Sequence, residues 1–175
     1  MPGCLLGLEV KIIEIIARNN EAICYLSQTT YFLIDYEDVG ILDKHNWRID
    51  KNGDVRSGHS NLLHRMILNP HSGMVVDHIN GNPSDCRKSN LRIASQRQNS
   101  YNTRLGKNNR TGYKGVSWDK NRKKYAACIC VNGKTKHLGR YETKGEAADA
   151  YDRSASFYFG EFALLNKNIK GRDRT

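Results

Sequence analysis

Asp77 and His78 stand side by side near the middle of the chain, with Asn90 and Asn99 following shortly after. An isolated Asp-His pair says little, because most histidines serve packing or the surface. Its setting says more. A carboxylate at the end of a strand and an amide oxygen from the helix that follows are the hard oxygen donors that Mg²⁺ prefers. A neutral imidazole next to them, with an ordinary pKa of ~6.5, can take a proton from water at cellular pH. Side chains alternate across a strand, so Asp77 and His78 can serve one site only if the strand stops before them.

The elements that must position these groups follow from the flanking sequence. Residues 74–76 form an apolar strand, a polar loop follows around Asn80-Gly81-Asn82-Pro83, and residues 91–94 form a second short strand. Ser95 with Gln98 three residues on is a capping box, so a helix begins at Gln96 and carries Asn99 on its first turn or just beyond. Upstream, Leu62, Leu63, Met66 and Ile67 recur at helical spacing before Pro70, which predicts a helix over residues 61–68. Residues 22–26 and 31–34 read as strands, and residues 10–16 lean the same way. A hairpin is expected around Lys51-Asn52-Gly53. Residues 101–112 are polar and rich in Gly and Asn, the best linker in the chain. Three strands then follow at 113–118, 125–131 and 135–141, the last two joined across Asn132-Gly133. Thr143 and Glu146 cap a helix whose Ala147, Ala148, Tyr151, Ala155 and Tyr158 share one face to about Phe159.

Charge separates the two halves. The chain of 175 residues has 28 Lys and Arg against 18 Asp and Glu, a formal +10. Residues 1–103 hold 11 basic against 11 acidic side chains, residues 145–175 hold 5 against 5, and residues 104–144 hold 12 against 2. A polyanion meeting that central stretch would release its condensed counterions, which implies a nucleic-acid partner. No apolar run is long enough to cross a bilayer, and the apolar start at Cys4 to Leu8 lacks a basic flank, so a cytosolic protein without membrane attachment is expected. The 5 cysteines fit neither a disulfide framework nor a zinc knuckle. Cys128 and Cys130 read as buried small hydrophobes. Asp54 and Asp85 read as turn residues, Trp47 and Trp118 as core or sheet-face aromatics, and His45, His59, His64 and His71 as packing or surface groups. His64 alone has a helix that should lie near the Asp77-His78 unit.

His64-Arg65, Val76-Asp77-His78-Ile79-Asn80-Gly81-Asn82, Ser89-Asn90-Leu91-Arg92 and Gln96-Arg97-Gln98-Asn99 together resemble the HNH endonucleases, closest to the phage homing type. The resemblance implies a ββα-metal unit holding one divalent cation, with Asp77 and Asn99 as its ligands and His78 as the general base. Asn90 is implied to brace the loop between the strands and so orient the histidine. Asn99 stands where other branches have a histidine, which makes Mg²⁺ or Mn²⁺ fit better than zinc.

The basic segment resembles a second family, the AP2/ERF DNA-binding domain, through Tyr113-Lys114-Gly115-Val116, Tyr125-Ala126-Ala127, Leu138-Gly139-Arg140-Tyr141, Glu146-Ala147-Ala148-Asp149-Ala150-Tyr151-Asp152 and Leu164-Leu165-Asn166. That resemblance implies a three-stranded sheet lying in the major groove of double-stranded DNA. Lys114, Arg122, Lys124, Lys136 and Arg140 are its candidate phosphate or base contacts. Ser117, Cys128 and Cys130 replace charged residues of the plant pattern and His137 replaces a tryptophan, so the target sequence does not carry over.

The expected fold class is α+β: a β-rich region over 1–58, a ββα nuclease unit over 59–103, a linker over 104–111, a DNA-binding domain over 112–166 and a basic tail over 167–175. The expected function is metal-dependent phosphodiester hydrolysis on DNA; one site per chain suggests nicking by a monomer, or double-strand cleavage if two chains meet as a dimer, and the sequence leaves both open. Two other classes compete: a DNA-binding regulator on an inert ββα scaffold, which would bind without cutting, and an RNA-binding module, which the lack of exposed aromatic stacking pairs disfavours.

Overall fold

The computed structural model describes residues 9–106 and 108–169, so the start of the chain and most of the tail over 167–175 lie outside the described residues. The chain divides into two compact units between Asn99 and Ser100. The architecture is α+β, built from small antiparallel sheets and few helices.

In the first unit, β1 (Glu14–Arg18), β2 (Glu21–Tyr25) and β3 (Tyr31–Asp35) form an antiparallel sheet in that order. The first strand begins later than the expected 10–16. Asn19, at φ 54, makes a tight turn into β2 and so fixes which residues pair, while Val10 exchanges backbone hydrogen bonds with Trp47. The second sheet, β4 (Arg48–Ile49), β5 (Val55–Ser57) and β6 (Asn61–Leu62), includes the expected hairpin, which turns at Gly53 with φ 91. Asn61 and Leu62 pair with β5, so α1 (Leu63–Leu68) starts two residues after the predicted position; it ends at Asn69 in the left-handed region, just before Pro70.

Alternate residues of β2 and β3 (Ala22, Cys24, Phe32, Ile34) are fully buried and join Trp47, Val55, Leu63 and Cys86 in one cluster. Burying a side chain such as Phe32 contributes about 1.5–3 kcal/mol. Residues 10–55 thus share a core with α1 and with the loop containing Cys86. That loop is also fastened by backbone, since Leu33 donates to Ser84 O at 2.9 Å and accepts from Cys86 N at 2.8 Å. The loop leads from β7 (Met74–His78) to its antiparallel partner β8 (Leu91–Ser95), which passes directly into α2 (Gln96–Tyr101). The Ser95–Gln98 capping box forms: Gln98 N donates to Ser95 Oγ at 3.2 Å and Ser95 N to Gln98 Oε1 at 2.8 Å.

In the second unit, β9 (Val116–Asp119), β10 (Lys124–Val131) and β11 (Lys134–Tyr141) form a sheet with β10 central, packed on α3 (Lys144–Phe159). Asn132 and Gly133 both have positive φ, as the tight turn between β10 and β11 requires. Thr143 and Glu146 make the expected capping box. Buried Ala147, Ala148 and Ala155 let the helix lie close to the sheet. At Gly115, φ 72, the ring of Tyr151 lies where a Cβ would be and Cys128 O would sit 2.6 Å away, so no side chain fits. Asn166 ties the end of the domain to its start, accepting from Lys114 N at 2.6 Å while its own N donates to Asp152 Oδ1 at 2.7 Å.

Two expectations need correcting here. Cys130 is exposed and Cys128 half-buried, because Ala127 and Ile129 take the helix side of β10 and leave the cysteines on the opposite face. The expected linker is well fastened within the second unit: Tyr101 stacks on Phe159 with ring centroids 3.9 Å apart, and Asn109 and Thr111 both donate to Tyr113 O. Among the described residues, no helix is long and apolar enough to cross a membrane.

Candidate active site

The strand carrying Asp77 and His78 does not stop before them. β7 pairs with β8 through both residues, Asp77 opposite Arg92 and His78 opposite Leu91. Regular pairing there supplies backbone partners that an early strand end would have left to other groups, and it sends the two side chains to different neighbours. Asp77, 4% exposed, accepts from Arg92 at Oδ2, with Nε at 2.8 Å and Nη2 at 2.6 Å. His78, 8% exposed, meets the ring of His64 edge-to-face at 4.9 Å, with the planes 86° apart.

His64 comes from α1, which is fixed against β7 by Arg65 donating to Met74 O at 3.2 Å. Its Nδ1 lies 3.9 Å from Asp54 Oδ1 at the start of β5. Burial pushes His78 down to about 4, and His64 adds to that shift against the opposing pull of Asp54, Asp77 and Asp85. Burial, with Arg65, likewise pushes His64 down to about 4. Both imidazoles are neutral at cellular pH, so His78 is in its proton-accepting form. Burial and neighbouring Asp50 raise the Asp54 carboxyl, against His78 and Arg56.

The loop between the strands is braced from inside. Asn90, 6% exposed, accepts from Asn80 N at 2.9 Å and donates to Asp85 O at 2.8 Å, while Ile79 N donates to its backbone oxygen. Asp85 is 2% exposed and takes a two-nitrogen fork from Arg87 at 2.7 Å each, plus Asn80 Nδ2 at 2.9 Å. Burial works to raise this carboxyl, and the Arg87 and Asn80 bonds override it, holding the group below the usual carboxylate range. Asp85 closes the turn that begins at Asn82, as the sequence suggests, and its carboxylate also holds the loop from inside. Its partners Arg87 and Asn80 are near in sequence, but the burial that gives them weight comes from the folded loop. The approach of Asp54 to His64 has no local signal, because it depends on the folded chain, although the sequence shows the likeness of His64-Arg65 to known nucleases.

Asn99 lies on the first turn of α2, half-buried. Among the described residues, no group of three or more His, Cys, Asp or Glu could hold a metal. The family resemblance offers a carboxylate from Asp77 and an amide oxygen from Asn99 as donors. This small oxygen set fits a cation that keeps several waters, as Mg²⁺ does, and does not fit zinc. An ion bound to Asp77 would share that carboxylate with Arg92.

In the second unit, the five candidate DNA contacts have different placements. Lys114 donates its ammonium to Tyr101 O at 2.7 Å and Thr103 O at 2.8 Å, and burial pushes it down to about 8. Lys136 pairs with Ile129 in register, so it lies on the helix side of the sheet, 3.0 Å from the Tyr158 hydroxyl. Lys124 and Arg140 lie on the other face, Arg140 against Asp119 at 2.8 Å and Lys124 against Glu142 at 2.7 Å. Arg122 is largely exposed in the turn before β10, 3.7 Å from Asp119.

Comparison with known proteins accounts for both units. A family model described as HNH endonuclease matches residues 62–101, and an AP2 domain model matches residues 111–161. The uncharacterized HNH endonuclease L560 of Acanthamoeba polyphaga mimivirus is 32% identical over 147 residues, covering 79% of this chain and 75% of the relative. This chain belongs to the HNH endonucleases. Protein 3.8 of Escherichia phage T7 is 40% identical over 62 residues, 35% of this chain and 51% of that protein. No solved structure matches. The chain is thus a nuclease carrying an AP2 DNA-binding domain, and the reading of its ββα unit as an inert scaffold is set aside. HNH nucleases generally use a divalent metal ion, and the β7–β8–α2 hairpin and helix lie within the matched segment.

Proposed function

We propose that this HNH nuclease is a metal-dependent, homing-type endonuclease that nicks one strand of double-stranded DNA inside an infected or host cell. The observation that carries the reading is the neutral, enclosed His78 at the end of one braced hairpin; Asp77 leaves β7 on the other face, so its share in the site rests on the family resemblance. His78 accepts a proton from a water as that water attacks the scissile phosphorus. Asn90 keeps the loop closed around the end of β7, so the imidazole keeps its orientation. Asp77 and Asn99 would hold one Mg²⁺ or Mn²⁺, which when bound supplies charge stabilisation at the departing 3′ oxygen. Arg92 holds the Asp77 carboxylate in place.

The open face of the second sheet, with Lys124, Arg140 and neighbouring Arg122, binds the duplex through the major groove and fixes its register through phosphate contacts. One active site per chain accounts for single-strand cleavage. The related viral and phage proteins favour a mobile nuclease acting in the host cell. The test is a time course on supercoiled plasmid with Mg²⁺, Mn²⁺ or chelator. Nicked circles forming ahead of linear DNA, and only with metal, are expected; cleavage that persists in chelator overturns the metal assignment, and linear product without a nicked intermediate overturns nicking.

A further inference from the structure

We propose that His64 is a positioning residue for the nuclease reaction, tethered by Asp54 and holding the imidazole of His78 edge-on. The inference rests on the reading of His78 as the general base. Three observations carry it. His64 is 7% exposed, yet its Nδ1 is enclosed without a hydrogen-bond partner. An apolar ring would fill the same space without burying a bare polar nitrogen, so packing alone gives no reason for a histidine here. The two rings meet at 4.9 Å and 86°, a contact that restricts rotation of the His78 ring about its own axis. Finally, Asp54 Oδ1 lies 3.9 Å from that bare nitrogen, about one ångström beyond a hydrogen bond.

Both supports are themselves anchored. Asp54 is fixed across the hairpin turn, its N donating to Asp50 Oδ1 at 3.2 Å and its O accepting from Asp50 N at 3.0 Å. Helix α1 is held to β7 through Arg65 and Met74. A small side-chain rotation brings the Asp54 carboxylate onto Nδ1–H of His64. That bond selects the tautomer and ring plane of His64, and through the edge contact His64 limits the orientations open to His78. The fraction of His78 rings aimed at the attacking water then depends on a residue that does not touch substrate.

The test uses the full chain with His64→Phe, which keeps an aromatic edge and removes both nitrogens, Asp54→Asn, and the double variant. Nicking of supercoiled plasmid in Mg²⁺ is read as kcat and KM, DNA affinity is measured separately, and the His78 ring nitrogens are followed by NMR in chelator. The expected result is a kcat lower by about 10- to 100-fold in His64→Phe with KM and affinity unchanged. Asp54→Asn should fall in the same direction, the double variant should be no worse than His64→Phe alone, and the His78 signals should shift toward mixed tautomers. A folded His64→Phe with kcat within twofold of wild type and unchanged His78 signals overturns the inference. If His64→Phe fails to fold, Asp54→Asn decides, and an unchanged kcat there overturns it equally. His78→Ala in the same assay separates the two levels. An inactive His78→Ala beside a fully active His64→Phe sinks only the role of His64, whereas an active His78→Ala removes the general-base reading and this inference with it.

Discussion

The paired histidines make the metal-free protein sensitive to mild acid. Burial pushes both imidazoles down to about 4 in the folded chain, against an ordinary 6.5. A histidine whose folded pKa is depressed binds its proton first in the unfolded state. Above pH 6.5 both states are neutral and nothing is lost; as pH falls from 6.5 toward 4 the unfolded chain gains protons that the folded chain refuses, and stability declines. The difference corresponds to about 3 kcal/mol for one histidine, and because the two rings interact their joint effect is not a simple sum. Asp54, whose carboxyl is raised by burial and by Asp50, opposes the trend, because the folded chain takes up that proton before the unfolded one. Urea unfolding in chelator between pH 7.5 and 4.5, followed by Trp47 fluorescence in a Trp118→Phe background, isolates the first unit. The free energy of unfolding should fall across this range, and His64→Phe should remove part of the slope. A flat profile from pH 7 to 5, or a slope unchanged in His64→Phe, would refute the reasoning.

Other consequences follow from single placements. Asp85→Ala strips the Arg87 fork of its buried acceptor and should cost about 3 kcal/mol in urea unfolding of the first unit; a loss below about 1 kcal/mol would show that the loop reorganises around it. Gly115→Ala forces a methyl group into the Tyr151 ring at a positive φ, and circular dichroism should show the second unit losing its cooperative thermal transition. Charge reversal at Lys124 and Arg140 should weaken duplex binding and reduce the salt dependence by about one unit of log–log slope per lost phosphate contact. Lys136→Glu should leave that slope unchanged, since its ammonium lies against Tyr158 on the helix side; an equal effect from Lys136→Glu would move the DNA face.

Features set by local chemistry were legible in the sequence. The capping boxes at Ser95 and Thr143, the turns at Gly53 and Asn132-Gly133, and the helix stop before Pro70 each depend on neighbouring residues and formed as their chemistry predicts. The turn at Asn19 is also local, and its signal lay in the Asn19-Asn20 pair. What was not legible depends on register or distant contact. Lys136 reads as one more surface cation until its pairing with Ile129 assigns it to the helix side. Asp54 looks like a turn residue until the fold brings His64 to it, and the burial of the Asp85–Arg87 fork emerges only when Leu33 pairs with its loop. The end of β7 is set by its register with β8: pairing with Arg92 and Leu91 continues through Asp77 and His78 and directs them to different partners.

The central claim is that His78 takes the proton from the attacking water. Plasmid nicking in Mg²⁺ by wild type and His78→Ala, at matched DNA occupancy, tests it most directly. Metal-dependent nicked circles from wild type and none from a folded His78→Ala that still binds DNA are predicted; cleavage by His78→Ala at the wild-type rate would contradict it.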